Sequence, residues 1–178
     1  EAEEESAPQD TTPPDLLFSI PECTASLSLD ACLVGTTTVN IVWSSSASDF
    51  ARFEITCTVS GVACVNFDFA STTATSTIYI VPTDNVIYTF TARAYDTAGN
   101  ASPIFIQAVS IVTRPLIINE VAWAGTSASK SSDEWIELFN PTAYTITLAS
   151  ITLKSLTDIG PVIPLSGTIV PQSFYLIE

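Results

Sequence analysis

The chain has 178 residues, 47% hydrophobic and 13% charged, with Lys+Arg 5 against Asp+Glu 19, a net charge of -14 and no histidine. That balance excludes a phosphate backbone as partner, because no basic patch can be assembled, and the missing imidazole removes the commonest general base and transition-metal ligand. No apolar run approaches a membrane span, so the composition implies no nucleic acid, no membrane span and enough apolar material for one large or two small β domains.

Residues 1–15 are acidic and carry Pro8, Pro13 and Pro14, so they read as a linker or arm. The opening Glu-Ala-Glu-Glu-Glu, without a signal-peptide pattern and in a chain without Met, reads as a mature end or a cut fragment. From Leu16 strand-length segments alternate with turn residues. The strands expected in a first domain, 16–113, are Leu16–Pro21, Leu33–Trp43, Asp49–Thr58, Val62–Phe69, Thr75–Val81, Val86–Tyr95 and Ile104–Val112. Val39, Ile41 and Trp43 share a face, as do Phe53 and Ile55, while Tyr88, Phe90, Ala92 and Ala94 alternate with Thr89, Thr91, Arg93 and Tyr95. Ser60-Gly61 and Asp96-Thr97-Ala98-Gly99-Asn100 read as tight turns. No segment sustains a helical period, so almost no helix is expected. Thr113-Arg114-Pro115 is a short joint stiffened by its proline.

A second domain, 116–178, opens with Leu116–Trp123 and Glu134–Phe139 on either side of Ala124–Asp133, whose Gly, Ser and Thr content reads as a loop. Strict alternation puts Leu116, Ile118, Glu120 and Ala122 on one face and Ile117, Asn119, Val121 and Trp123 on the other. Trp135 and Glu137 then lie opposite Ile136 and Leu138. Tyr144–Leu148, Ile151–Lys154, Val162–Leu165, Thr168–Val170 and Ser173–Ile177 are the further strands, with a turn at Thr157–Gly160. The fold class is all-β: two tandem immunoglobulin-like β-sandwich domains, the second incomplete.

Cys23, Cys32, Cys57 and Cys64 permit three pairings. Zinc is the rival, but the spacing lacks the short C-x-x-C type and no histidine helps. The favoured bridges are Cys23–Cys32 and Cys57–Cys64. A two-residue turn at Ser60-Gly61 sets residues 57 and 64 opposite each other on a hairpin, in a hydrogen-bonded pair. Disulfides imply an extracellular or cell-surface location.

Glu120, Asp133, Glu134 and Glu137 form an acidic cluster. They are candidates for a calcium site with Asn119 or Asn140, for a carboxylate pair in hydrolysis, or for structural bonding around Trp123 and Trp135, which with Trp43 are the expected core anchors. No histidine, nucleophile elbow or metal-ligand spacing supports catalysis, so the reading is non-enzymatic, with no cofactor unless calcium. Asp96, Gly99 and Asn100 are explained by turn chemistry; the alternative is a calcium ion held by Asp96 with Asp15 or Asp10. Asn100-Ala101-Ser102 is a glycosylation triplet, disfavoured by the following Pro103.

Ile118-Asn119-Glu120-Val121, Trp123, Gly125, Asp133-Glu134-Trp135-Ile136-Glu137-Leu138, Asn140-Pro141, Gly167-Thr168-Ile169, Pro171 and Phe174-Tyr175-Leu176 resemble the lamin-tail domain family, without its last strands. The resemblance implies an immunoglobulin-like sandwich that binds or tethers. Tyr88 to Asn100, with Val42-Trp43 and Phe53-Glu54-Ile55, resembles fibronectin type III and bacterial immunoglobulin-like domains, whose pattern does not include the cysteines. The expected role is an extracellular structural protein of a stalk, surface layer or filament, self-associating through sandwich contacts or strand complementation. The alternative is a carbohydrate- or surface-binding accessory region of a larger secreted enzyme, with Phe139, Tyr144 and Phe174 as its aromatic candidates.

Overall fold

The alternating apolar segments become strands nearly throughout. The structure, a computed structural model, describes residues 9–122, 134–157, 160 and 162–178. The strands are β1 (Leu17–Ser19), β2 (Leu33–Val34), β3 (Thr38–Ser44), β4 (Phe50–Val59), β5 (Val62–Ala63), β6 (Phe69–Thr72), β7 (Ser76–Ile80), β8 (Val86–Asp96), β9 (Phe105–Ile111) and β10 (Ile117–Ala122). There follow β11 (Trp135–Phe139), β12 (Ile146–Thr147), β13 (Thr152–Lys154), β14 (Val162–Pro164), β15 (Thr168–Ile169) and β16 (Phe174–Ile177). Helix among the described residues is confined to a 3-10 turn, Pro21–Ala25. The fold class is all-β with packed sheets.

Two expected strands are broken. Leu33–Trp43 is interrupted at residues 35–37 and yields β2 and β3. Val62–Phe69 is interrupted at residues 64–68, where Asn66 takes a φ of 58°, a left-handed conformation incompatible with a continuous strand.

The chain forms two compact units that interleave in sequence. The first comprises Glu1–Pro21, Thr38–Val81 and Ile87–Ala108, and the second Glu22–Thr37, Pro82–Val86 and Val109–Glu178. The segment Glu22–Thr37, read from sequence as part of 16–113, thus belongs with the chain beyond Val109.

In the first unit one sheet has the order β1-β3-β7, and a second runs β9, β8, β4, β5, with β6 also on β4. Val39, Ile41, Trp43 and Tyr79 of the one, and Phe53, Ile55, Cys57, Tyr88, Phe90, Ala92 and Ala94 of the other, are all buried. Trp43 meets Phe53 and Phe69 edge-on at 6.5 and 5.7 Å, and Tyr79 meets Tyr88 at 6.2 Å, so the two inner faces form one sandwich core. The opposite face of β4 and β8 is polar. Glu54 lies beside Arg93, Thr56 and Thr91 share a 2.6 Å hydrogen bond, and the Arg52 guanidinium sits 3.9 Å from the Tyr95 ring centroid.

The second unit contains the sheet β10-β11-β16 and the pairs β12-β15 and β13-β14. β2 runs parallel to Ser110 and Ile111 of β9. Its core is Leu33, Leu138, Ile146, Leu148, Leu165 and Ile169. Leu33 comes from the Glu22–Thr37 segment, which is held by a bridge between Ser28 and Ile146 and by the Thr147 N–H donating to the Leu27 carbonyl.

Asn140 is fully buried and organises the unit. Its amide nitrogen donates to the carbonyls of Tyr144 (2.8 Å), Ile169 (2.9 Å) and Val170 (3.1 Å), and its Oδ1 accepts from the Thr142 N–H and Oγ1–H. Its hydrogen-bonding capacity is spent on backbone groups and the Thr142 hydroxyl, so the role of calcium ligand considered for Asn140 is corrected to a structural one.

Candidate functional site

The cysteines form Cys23–Cys32 and Cys57–Cys64. Ser60 and Gly61 take φ of 50° and 79°, the left-handed pair that a two-residue hairpin turn needs, and bring Val59 against Val62 and Thr58 against Ala63. The next pair outward is Cys57 and Cys64, with Cα atoms 5.3 Å apart and the Cys64 N–H donating to the Cys57 carbonyl. Cys23–Cys32 closes the loop in which Ser26 Oγ donates to the Ala31 carbonyl and accepts from the Leu33 N–H.

The acidic cluster of the second unit is partly assembled. β10 pairs with β11 as Ile117–Phe139, Ile118–Leu138, Glu120–Glu137, Val121–Ile136 and Ala122–Trp135, with a register shift between Ile118 and Glu120. Asn119 is the additional residue of a β-bulge. Strict alternation through this stretch is therefore corrected: Ile118 sits on the Leu138 face and Glu120 on the opposite one with Glu137, because directly paired residues point to the same side. The Asn119 amide donates to Glu137 Oε1 at 2.5 Å. Glu134 is exposed and precedes β11. Asp133, Trp123 and the Ala124–Asp133 loop lie outside the described residues. Trp43 is buried in the first core. Trp135 is half-buried and absent from the second core, so its expected place as a core anchor is corrected to a position on the Glu120–Glu137 face.

Among the described residues, the carboxylates that do converge are Asp10, Asp49 and Asp96, whose oxygens lie within 4.8 Å of one another. Asp96 ends β8 and is buried. Its carboxylate accepts from the Asn100 N–H and amide, both at 2.8 Å, and the same amide donates to the Asp10 carbonyl at 3.1 Å. The Thr12 N–H, then a hydrogen bond with Asp49, holds the Asp10 carboxyl below its ordinary value. That shared bond pushes Asp49 above its own, with the charges of Asp10 and Asp96 adding to the effect. The donor set is all oxygen and anionic, which suits a hard divalent cation, but its groups also satisfy one another through Asn100 and the Asp10–Asp49 bond. Of the residues weighed beside Asp96, Asp10 is here and Asp15 is not. Asp15 accepts hydrogen bonds from Ser45, Ser46 and Ala47. Asp49 was not anticipated, although β4 begins beside it and pairs at that end with the end of β8, at Phe50 and Asp96. The amide nitrogen that a glycan would modify on Asn100 is committed to its two acceptors.

Two apolar surfaces complete the inventory. β7 ends its sheet, no charged residue lies between Asp68 and Asp84, and Ile78 and Ile80 are 66% and 70% exposed. On β10-β11-β16, Phe139 and Phe174 lie side by side with centroids 4.8 Å apart. Tyr144 instead turns inward, against the core and in a 2.6 Å bond with Ser110. Among the described residues no helix is long and apolar enough to cross a membrane. No protein-family profile, curated protein or solved structure matches the chain.

Proposed function

We propose that the chain is an extracellular or cell-surface structural protein, a component of a stalk, surface layer or filament, that acts through contacts between β-sheets and carries out no catalysis. The observation that carries this reading is the β7 edge. Edge strands expose unpaired backbone groups and are ordinarily guarded by a lysine, a proline, a bulge or brevity. β7 lies within an uncharged stretch of strand-forming residues, pairs on one side with β3 and shows no register shift there. Such an edge accepts an added strand from a neighbouring copy without bringing like charges together, even in a chain of net charge -14. The two disulfides and the absence of a membrane-spanning helix among the described residues are compatible with an extracellular protein. The lamin-tail and fibronectin type III resemblances point the same way. A carbohydrate-binding accessory role is the second reading, favoured by the partly exposed Phe139–Phe174 pair.

The test is the assembly state of native, unheated protein by intact mass measurement and electron microscopy, beside an Ile78→Lys/Ile80→Lys variant. Ordered assemblies that the variant disperses, with its circular dichroism unchanged, support the reading. A monomer at all concentrations, or assemblies indifferent to the variant, overturns it.

A further inference from the structure

The β10-β11-β16 sheet packs one face against the core of the second unit through Ile136, Leu138, Tyr175 and Ile177, while Ile118 and Val121 on that face stay 55% and 49% exposed. Its other face is laid out in three cross-strand rows by the register. Ile117, Phe139 and Phe174 form the first, Glu120, Glu137 and Leu176 the second, and Ala122 and Trp135 the third. Ile117, Phe174 and Leu176 are 39%, 55% and 50% exposed. An aromatic and aliphatic surface of this kind, rimmed by polar groups, is a mark of an interaction site. Here the polar groups lie in its middle: two carboxylates, with Asn119 bonded to one of them. No lysine or arginine occurs in β10, β11 or β16.

We propose that this face docks a basic, apolar polypeptide segment of another protein. The charge pattern selects the occupant. Covering Glu120 and Glu137 with an apolar surface would desolvate them without compensation, so the occupant must bring cations to the middle row. Trp135, in the next row, offers its ring to the same cation. A second copy of this chain would set Glu120 and Glu137 against their own counterparts, each copy carrying a net charge of -14. The row spacing sets the pattern. Rows two residues apart along a strand match alternate side chains of an extended segment laid along it, which gives apolar, any residue, Arg or Lys, any residue, apolar. This surface is on the second unit and β7 on the first, so the proposal stands independently of self-assembly through β7.

The test uses the full chain and two synthetic peptides, one with the core Phe-Ser-Arg-Ser-Val and one with Phe-Ser-Glu-Ser-Val, followed by the Trp indole resonances and by calorimetry. The arginine peptide should bind at least about tenfold more tightly, as expected for pairing with close charges. Glu120→Gln/Glu137→Gln, which keeps an acceptor for Asn119, should abolish that preference. Asp30→Asn/Asp68→Asn, which removes the same charge elsewhere, should leave it intact. Phe174→Ser/Leu176→Ser should weaken both peptides. Equal binding of the two peptides, or equal effects of the two charge-removing variants, overturns the proposal and reduces it to the general acidity of the chain. Displacement of the peptide by an oligosaccharide such as chitohexaose, or dimerisation through Trp135, overturns it in favour of a sugar or a second copy.

Discussion

Removing the Asn140 side chain tests the account of the second unit most directly. Asn140→Ala leaves the Tyr144 carbonyl a partner, because Thr142 Oγ1 donates to it at 3.0 Å. The Thr142 N–H loses its partner, and the Ile169 and Val170 carbonyls each lose one bond. Each buried group stranded in this way costs about 1–3 kcal/mol. Val170 is partly solvated and Ile169 keeps its place in the β12-β15 pair, so the loss comes mainly from the Thr142 N–H and should total about 1–3 kcal/mol. Asn140→Asp keeps the shape but turns the donor into an oxygen aimed at three carbonyl oxygens. Burial and those dipoles raise the introduced carboxyl above its unfolded value. Its protonated form is therefore the tolerated one, and stability present at low pH is lost as pH rises through the folded pKa. Hydrogen exchange in urea, followed by mass spectrometry on peptides from β11 to β16, reads this unit separately from the first. A loss below about 1 kcal/mol for Asn140→Ala, within the range of a single exposed hydrogen bond, would refute the reasoning.

Replacing Cys57 and Cys64 by serine should cost about 2–3 kcal/mol through the short loop they close, with the effect confined to hydrogen exchange in the first unit; Cys23 and Cys32 should do the same in the second, and exchange changing equally in both units would contradict this. Asp49→Asn should steepen the acid limb of thermal stability. A carboxyl whose folded pKa is raised contributes stability below its unfolded pKa and loses it as pH rises through the folded one, so the variant should gain on the wild type only above the carboxylate range. Parallel curves at every pH would remove the Asp10–Asp49 interaction from the account. Asp10, held low, works in the opposite sense, losing its contribution as pH falls. Deleting Asn119 should be tolerated, because Glu120, Val121 and Ala122 keep their partners once the bulge closes; loss of native circular dichroism would refute the register.

The strand positions were legible because the signal is local. Tyr88, Phe90, Ala92 and Ala94 alternate in sequence and are all buried. The Ser60-Gly61 turn fixed one disulfide through the geometry of a single hairpin. The interleaving of the units was not legible. Residues 22–37 resemble a stretch of the first sandwich in composition, and only long-range contacts such as Ser28 with Ile146 assign them to the second. The place of Asn140 was not legible for a related reason. Its partners at Tyr144, Ile169 and Val170 are carbonyls, which carry no side-chain identity for a sequence to display.

The bulge at Asn119 shows how one unread residue reassigns a surface. With strict alternation Glu120 would share a face with Ile118 and Leu138, a carboxylate directed toward the core cluster, and Val121 would point away from it. The first placement would turn a charge toward the core side of the sheet, which desolvation disfavours. The additional residue avoids this, because Asn119 takes up the slip and its side chain finds Glu137. Polar groups that strict alternation would have divided between two faces are thereby gathered into one row, between the Ile117–Phe139–Phe174 row and Trp135. The same local defect that turns Glu120 away from the core side thus creates the acidic centre of the exposed face, and with it the selectivity proposed for that face.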